Sequence, residues 1–378
     1  MKKHLQLAVV FGAASLAAVA QGAKPRLYHT GDEWVQEVTG TLAAEKIVKV
    51  KSSAGSIRAQ GAQQDNITYT VREHVRANSE ESARREFARM KFTTFSSNGA
   101  VLLRADCEGA SHGAINFDIQ VPAQTALVKL QTEGGTVTAT NLAGKVEATT
   151  GGGGISLDQI QGLVVVNSGG GDIDIGKTGG DVHATTNAGS IRIVSAAGRI
   201  DANSGGGNLD IGSAKVMALQ TGGGFIRVAR CDGQIKAETA GGNIELIDIE
   251  GAAQIETGGG SIHIGPIKGG IRAETGAGTI VAKLASGGTA FTASRLETSM
   301  GDITVYVPDG LGVTVRAAVE VARGYGIRSE FPELKITDTK QNLGPREAYA
   351  EGSLNGGGPV LHVHTTAGNI EFKRKGNQ

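Results

Sequence analysis

Between residues 132 and 305 apolar side chains recur in pairs two positions apart, and each pair follows a phrase of the form Ser/Thr-x-x-Gly-x-apolar. The marker glycines of this phrase are Gly135, Gly153, Gly171, Gly189, Gly207, Gly224, Gly242, Gly260, Gly278 and Gly301, giving steps of 18, 18, 18, 18, 17, 18, 18, 18 and 23 residues. Residues two apart share one side of a strand. Pairs such as Ile173 and Ile175, then Val182 and Ala184, therefore place two or three short strands per period with their apolar sides toward one axis. A fixed period of this length is the mark of stacked repeats. The pattern predicts an all-β fold, a single-chain parallel β-solenoid (β-helix) with about 18 residues per coil and about nine coils over residues 121–307. Each glycine is expected at a corner, where the chain needs positive φ or close backbone approach. The Ser or Thr three residues earlier is expected to stack into a hydroxyl ladder.

The flanks lack this period. Residues 24–120 read as an N-terminal β-rich cap. Ile47 to Val50 alternates, Ser52-x-x-Gly55-x-Ile57 gives an isolated copy of the phrase, and Ile67 to Val75 is strand-like. Over 78–90 the period becomes helical: Asn78 and Glu81 suit a capping box, Ala83, Phe87 and Met90 share a face, and Glu80 with Arg84 and Glu81 with Arg85 support the opposite one. Val101 to Leu103 and Ile115 to Val121 return to strand character. Between Gly278 and Gly301 the longer step predicts a five-residue bulge or irregular coil within Ala285 to Leu296. Residues 308–378 read as further coils and a cap, with a polar loop at about 330–351 and a final phrase, Thr365 to Ile370, as the last coil or cap. Residues 1–20 carry a basic start (Lys2, Lys3, His4), an apolar run and the small-x-small site Ala18-Val19-Ala20, so a secretory signal is expected, with cleavage there or as late as Ala23.

Composition narrows the class. Glycine supplies 58 residues and aromatics only 4%, so no core of large rings is available. Lys+Arg and Asp+Glu balance at 37 each, which gives no nucleic-acid footprint. No later apolar run is long enough for a membrane span. No cysteine lies among the first hundred residues, which rules out a lipoprotein signal. An exported chain could pair Cys107 with Cys231, but Cys231 falls in register with Leu142, Ile160, Ile249 and Ile267 and suits a buried apolar position.

The order of these pieces carries a resemblance. Lys49 to Ile57, the strand and helix, Phe117-Asp118-Ile119-Gln120-Val121-Pro122, the glycine-marked coils, Ser329-Glu330-Phe331-Pro332, Gly352 to Gly358 and Thr366-x-Gly368-Asn369-Ile370 follow one another. In this the chain resembles the bacterial putative-adhesin domain of unknown function, a family of exported glycine-rich β-solenoid proteins of the cell envelope. The resemblance implies a right-handed parallel β-helix, an adhesin-like role, and no catalytic residue to carry over.

Equivalent outward positions of successive coils carry the candidate chemistry. Three residues after the marker glycine come Asp174, Arg192, Asp210, Arg227, Glu245 and His263, alternating in charge. This reads as an exposed ion-pair ladder, or more sharply as a face for a polar glycan. Fourteen residues after it come Glu238, Glu256 and Glu274, with Lys236 and Arg272 nearby as compensation; a hard cation such as Ca²⁺ is the alternative. The calcium nonapeptide pattern fails at Gly169-Gly170-Gly171-Asp172-Ile173-Asp174, which lacks its fourth-place glycine. His183, His263, His362 and His364 are scattered, and no nucleophile elbow, zinc motif or phosphate loop occurs. The expectation is an exported, non-catalytic protein without cofactor, acting on an unknown protein or glycan partner from the periplasm, cell surface or medium. The alternatives are a β-helix polysaccharide-binding or polysaccharide-cleaving enzyme, or a periplasmic partner in envelope-stress signalling.

Overall fold

The computed structural model describes residues 25–107, 113–286, 291–322, 324–339 and 346–375. The expected signal segment lies outside them, as do residues 287–290 of the insertion and 340–345 of the polar stretch.

The chain is an all-β parallel solenoid built from two long sheets. In a regular coil, Ile155–Ile160 belongs to the first sheet and Val164–Ser168 to the second, with a turn between them and the glycine corner after them. Ile155, Leu157, Ile160, Val164 and Val166 point inward and are fully buried, which leaves Ser156, Asp158 and Asn167 outside. The 18-residue step becomes a lateral register. Val137 lies beside Ile155, Ile155 beside Ile173, and Ile173 beside Ile191; likewise Val146, Val164 and Val182 are neighbours in the second sheet. Apolar residues of like position thus stack at the strand spacing of about 4.8 Å. Cys231 occupies this core between Ala214 and Ile249, fully buried, and both cysteines are free thiols.

The corner resolves why glycine recurs. Most marker glycines have no positive φ; among them only Gly301 does, at 149°. The constraint is close approach. A Cβ on Gly207 would overlap the Gly189 carbonyl of the coil beneath, while one on Gly206 would meet nothing within 4 Å. Beside each marker, the buried hydroxyl spans two coils. Ser204 Oγ donates to the Gly189 carbonyl at 2.8 Å and accepts from the Gly207 amide at 2.8 Å. Thr239, Thr257 and Thr275 donate likewise to Gly224, Gly242 and Gly260.

Both ends depart from chain order. The phrase at Ser52 to Ile57 is not isolated: Ile57 lies between Phe117 and Val137, all parallel, so the coil 47–62 is interior. The coil formed by Ala100–Asp106 and Ala114–Pro122 stacks outside it. The final phrase is likewise not the last coil. Val360–Ala367 sits between Ser294–Met300 and Val313–Val319, and Ile370–Arg374 between Ile303–Val307 and Ile327–Ser329. Returning the chain this way places the most non-local strands inside the stack, where they bury both edges.

Antiparallel strands finish each end. At the N-terminal end Asn66–Arg76 pairs with Ala114–Pro122 and with Glu33–Ala43, which carries Arg26–Thr30; in the second sheet Lys91–Ser97 covers Ala100–Asp106. The helix spans Glu80–Phe87, shorter than the expected 78–90, and its cap is Ser79, whose hydroxyl accepts from the Ser82 amide, not Asn78. Its Ala83 and Phe87, with Met90 just beyond, are buried, and Glu80–Arg84 and Glu81–Arg85 pair across its solvent face. At the other end, the stretch expected as a loop contains two strands, Lys335–Thr339 and Glu347–Leu354, paired to each other and, through the latter, to Val313–Val319. Their alternation is hidden in sequence because the inward residues Ala348 and Ala350 are small and Lys335 to Asp338 are all exposed.

Candidate functional site

With corners and core committed to structure, the outward rows of the sheets are the regular surface the rod presents. In the second sheet the residue before each corner hydroxyl points out. The register places Glu238, Glu256, Glu274, Glu297 and His364 side by side. Glu297 was missed in this row because the insertion shifts it away from the fourteenth position, and His364, read only as a scattered histidine, because its coil is re-entrant. A base two residues earlier on the same strand meets each glutamate but one. Lys236 pairs with Glu238 at 2.6 Å, Arg272 with Glu274 at 3.5 Å, and Arg295 with Glu297 at 2.7 Å. Gln254 stands in the equivalent place for Glu256, which has no ion pair among the described residues. Each paired carboxylate is therefore held along its own strand and away from its neighbours. Among the described residues no group of three or more His, Cys, Asp or Glu side chains converges in a way that could hold a metal ion.

Open grooves follow this row past the corners. One runs from Asn203 and Gln220 to Glu238 and Glu256; the next continues from Glu256 through Glu274 and Glu297 to His364 and Thr366. A third, at the C-terminal end, is walled by Arg295, Arg316, Tyr349, Glu351, His362 and His364. Here the structure gathers two of the scattered histidines. His364 Nε2 lies 3.1 Å from Glu320, whose other oxygen accepts from the Thr366 hydroxyl at 3.2 Å, and Arg316 pairs with Glu351 at 3.3 Å. The Tyr349 hydroxyl donates to Glu347 at 2.5 Å, and that bond to a carboxylate pushes the phenol pKa up, away from a reactive phenolate. These groups can bind charge and hydrogen-bonding partners.

On the first sheet, the register aligns Asp174, Arg192, Asp210, Arg227, Glu245 and His263 in one outward row. Contact is pairwise and loose: Arg192 to Asp210 at 3.8 Å and Arg227 to Glu245 at 3.4 Å, all about half exposed. Such pairs contribute a few tenths of a kcal/mol, about the surface median. His183 sits on the second sheet, 3.1 Å from Asp201.

Two features escaped the sequence reading. Arg230 reaches Asp232 at 2.8 Å and Asp248 at 2.7 Å, with Glu250 at 3.8 Å, and Lys268 pairs with Glu250 at 2.7 Å. A second polar ladder follows the marker glycines. The Asp172 carboxylate accepts from the Ser190 amide at 2.7 Å, Asn208 from Phe225 at 3.1 Å, and Asn243 from Ser261 at 2.8 Å. Its signal was present as a recurrent Asp, Asn or Ser directly after the glycine.

No family model matches the chain, and no curated protein matches it. Two solved structures are similar to it at a distance. A putative cell adhesion protein from Clostridium sporogenes ATCC 15579 is 9% identical, with 93% of this chain and 100% of that one covered and a TM-score of 0.19. A putative adhesin from Bacteroides fragilis NCTC 9343 is 13% identical, with 71% of this chain and 96% of that one covered and a TM-score of 0.26. The fold assignment rests on the strand register, and the functional reading on the surface rows.

Proposed function

We propose that this chain is an exported, non-catalytic β-solenoid that binds an extended polar partner along the outward face of its second sheet, as an adhesin-like or envelope-associated interaction module. One observation carries the reading: a base and a glutamate recur together from Lys236–Glu238 to Arg295–Glu297, beside a groove that runs across several coils. A row of like sites one strand apart suits a polymer, glycan or extended protein, which can repeat its contacts along the rod. Corner hydroxyls of the Ser204 kind are already committed to backbone groups of two coils and are not available as nucleophiles.

The test pairs binding with turnover. Neutral and uronic-acid polysaccharides and envelope extracts are presented to the protein and to a Glu238→Ala, Glu256→Ala, Glu274→Ala variant. Binding that is weakened in the variant without a change in thermal unfolding supports the reading. Product release from any glycan by the parent protein overturns the non-catalytic part, and binding indifferent to the three substitutions overturns the assignment of the face. Cell fractionation tests export.

A further inference from the structure

The N-terminal end of the second sheet carries a face unlike the rest of the rod. The register lays out its outward residues as a grid. Phe95, Leu102, Lys49 and Lys129 form one row across four neighbouring strands; Thr93, Arg104, Lys51 and Gln131 form the next. On the other side of the first row lie Ala100, Ile47 and Leu127. Phe95, on the outermost strand, is 59% exposed and is among the most exposed large apolar side chains of the described residues. Leu102, Ile47 and Leu127 beside it are only half-buried. Bulky apolar and basic side chains are thus segregated within one flat patch at the tip of the rod.

Charge there is only partly compensated. Along the middle coils outward bases of this sheet such as Arg199, Lys236 and Arg272 meet a carboxylate on their own strand. In the patch Lys49, Lys51 and Lys91 form no ion pair among the described residues, and Arg104 has only Asp106 at 3.4 Å. Lys49 stands directly beside Lys129, and Lys51 beside Arg104, so like charges face each other at about one strand spacing of 4.8 Å, an arrangement that costs free energy. The nearest carboxylate along the row is Glu147. Lys129 at 2.9 Å and Lys145 at 2.7 Å both engage it, and their hydrogen bonds hold it below the usual carboxylate range. It has nothing left for Lys49 or Lys51.

We propose that this tip is a peripheral docking face for an anionic lipid surface, the lysines meeting headgroup phosphates while Phe95 inserts at the acyl boundary. An exposed aromatic beside unpaired lysines is the arrangement that interfacial binding uses: apolar burial supplies part of the affinity and charge the rest. A free anionic glycan would use the lysines but gains nothing from an apolar row placed on one side of them. The patch lies on the same outward face as the glutamates, but Lys49 and Lys51 stand seven strands along the sheet from Glu238, and the patch uses other residues, so this inference does not rest on the function proposed above.

The experiment is co-sedimentation of the purified full chain with vesicles of phosphatidylcholine alone or mixed with phosphatidylglycerol, at low and high salt. Two double variants with the same charge change are compared: Lys49→Glu with Lys51→Glu, in the patch, and Lys177→Glu with Lys215→Glu, exposed elsewhere. Phe95→Ser is the third. The expected result is salt-sensitive binding to phosphatidylglycerol vesicles that falls at least about tenfold in the patch variant and measurably in Phe95→Ser, while the control stays within about twofold. Equal sedimentation with both vesicle types, equal loss in both double variants, or binding to soluble polygalacturonate with none to vesicles would each overturn it. Unfolding curves of all variants, expected to superimpose because the substituted side chains point outward, separate lost docking from lost fold.

Discussion

Along the middle of the rod, from Lys145 to Leu284, each coil rests on the one made immediately before it, whereas at both ends the neighbour comes from far along the chain. Ile155 lies between residues eighteen away on either side. Ile57 lies between Phe117 and Val137, and Ile370 between Ile303 and Ile327. The middle can therefore repeat one short rule indefinitely. A rod of that rule alone would end in open strands that fray and recruit other chains. The ends close the problem by folding distant chain back into the stack and finishing with antiparallel strands. The same division runs through the surface: bases are matched strand by strand in the middle, whereas at the N-terminal tip Lys49, Lys51 and Lys91 have no ion-pair partner among the described residues.

The largest expected effect comes from breaking the re-entry. Removing residues 356–378 deletes the coil on which Val313–Val319 and Ile327–Ser329 rest. Limited proteolysis should then cut between 308 and 354 at least about tenfold faster, as that segment loses its link to the rod. Unchanged cleavage would mean that the outer coil stands on its own.

Within the middle, the corner gives a sharper contrast. Gly207→Val should lower stability by about 2–3 kcal/mol, the range of overpacking, because its Cβ overlaps the coil beneath. Gly206→Ala, one residue away in open space, should stay within about 0.5 kcal/mol. Equal thermal unfolding of the two would refute the close-approach account. Ser204→Ala is expected to cost about 1–3 kcal/mol, since it strands the Gly189 carbonyl and the Gly207 amide in a buried corner.

At the N-terminal end, Glu73 occupies a core position between Val71 and Val75, with the Gln36 amide donating at 2.7 Å. Burial raises its pKa, and that bond only partly offsets the rise. A raised folded-state value means the native form holds its proton longer, so stability falls as pH climbs from the ordinary glutamate value through the folded one. Glu73→Gln should therefore match the parent at acid pH and exceed it at neutral pH in denaturant titrations. A parallel offset at both would show that the carboxyl is not ionising in place.

The period of the glycines made the middle legible: strands, inward side, corner and hydroxyl rung all follow from one 18-residue step. The ends were not legible because their pairing is lateral and non-local. Nothing in Ser52 to Ile57 says that Val137 and Phe117 flank it. The same limit explains the site. Glu238, Glu256 and Glu274 could be aligned by counting, but Glu297 is displaced by the insertion and His364 by the re-entrant coil. The helix cap was missed by one residue because Asn78 and Ser79 both suit the position, and only the backbone turn decides between them. The basic tip was invisible for the same reason as the ends: Lys49, Phe95, Leu102 and Lys129 come from four separate stretches.

The re-entrant order is tested most directly by hydrogen exchange of the amides of Ile57–Ala62. The Ile57 amide donates to the Thr136 carbonyl at 2.9 Å, and the strand is covered on both edges. Its exchange should be as slow as that of Ile155–Ile160 in the middle of the rod and far slower than that of the edge strand Arg26–Thr30. Exchange at the rate of the edge strand would contradict the account.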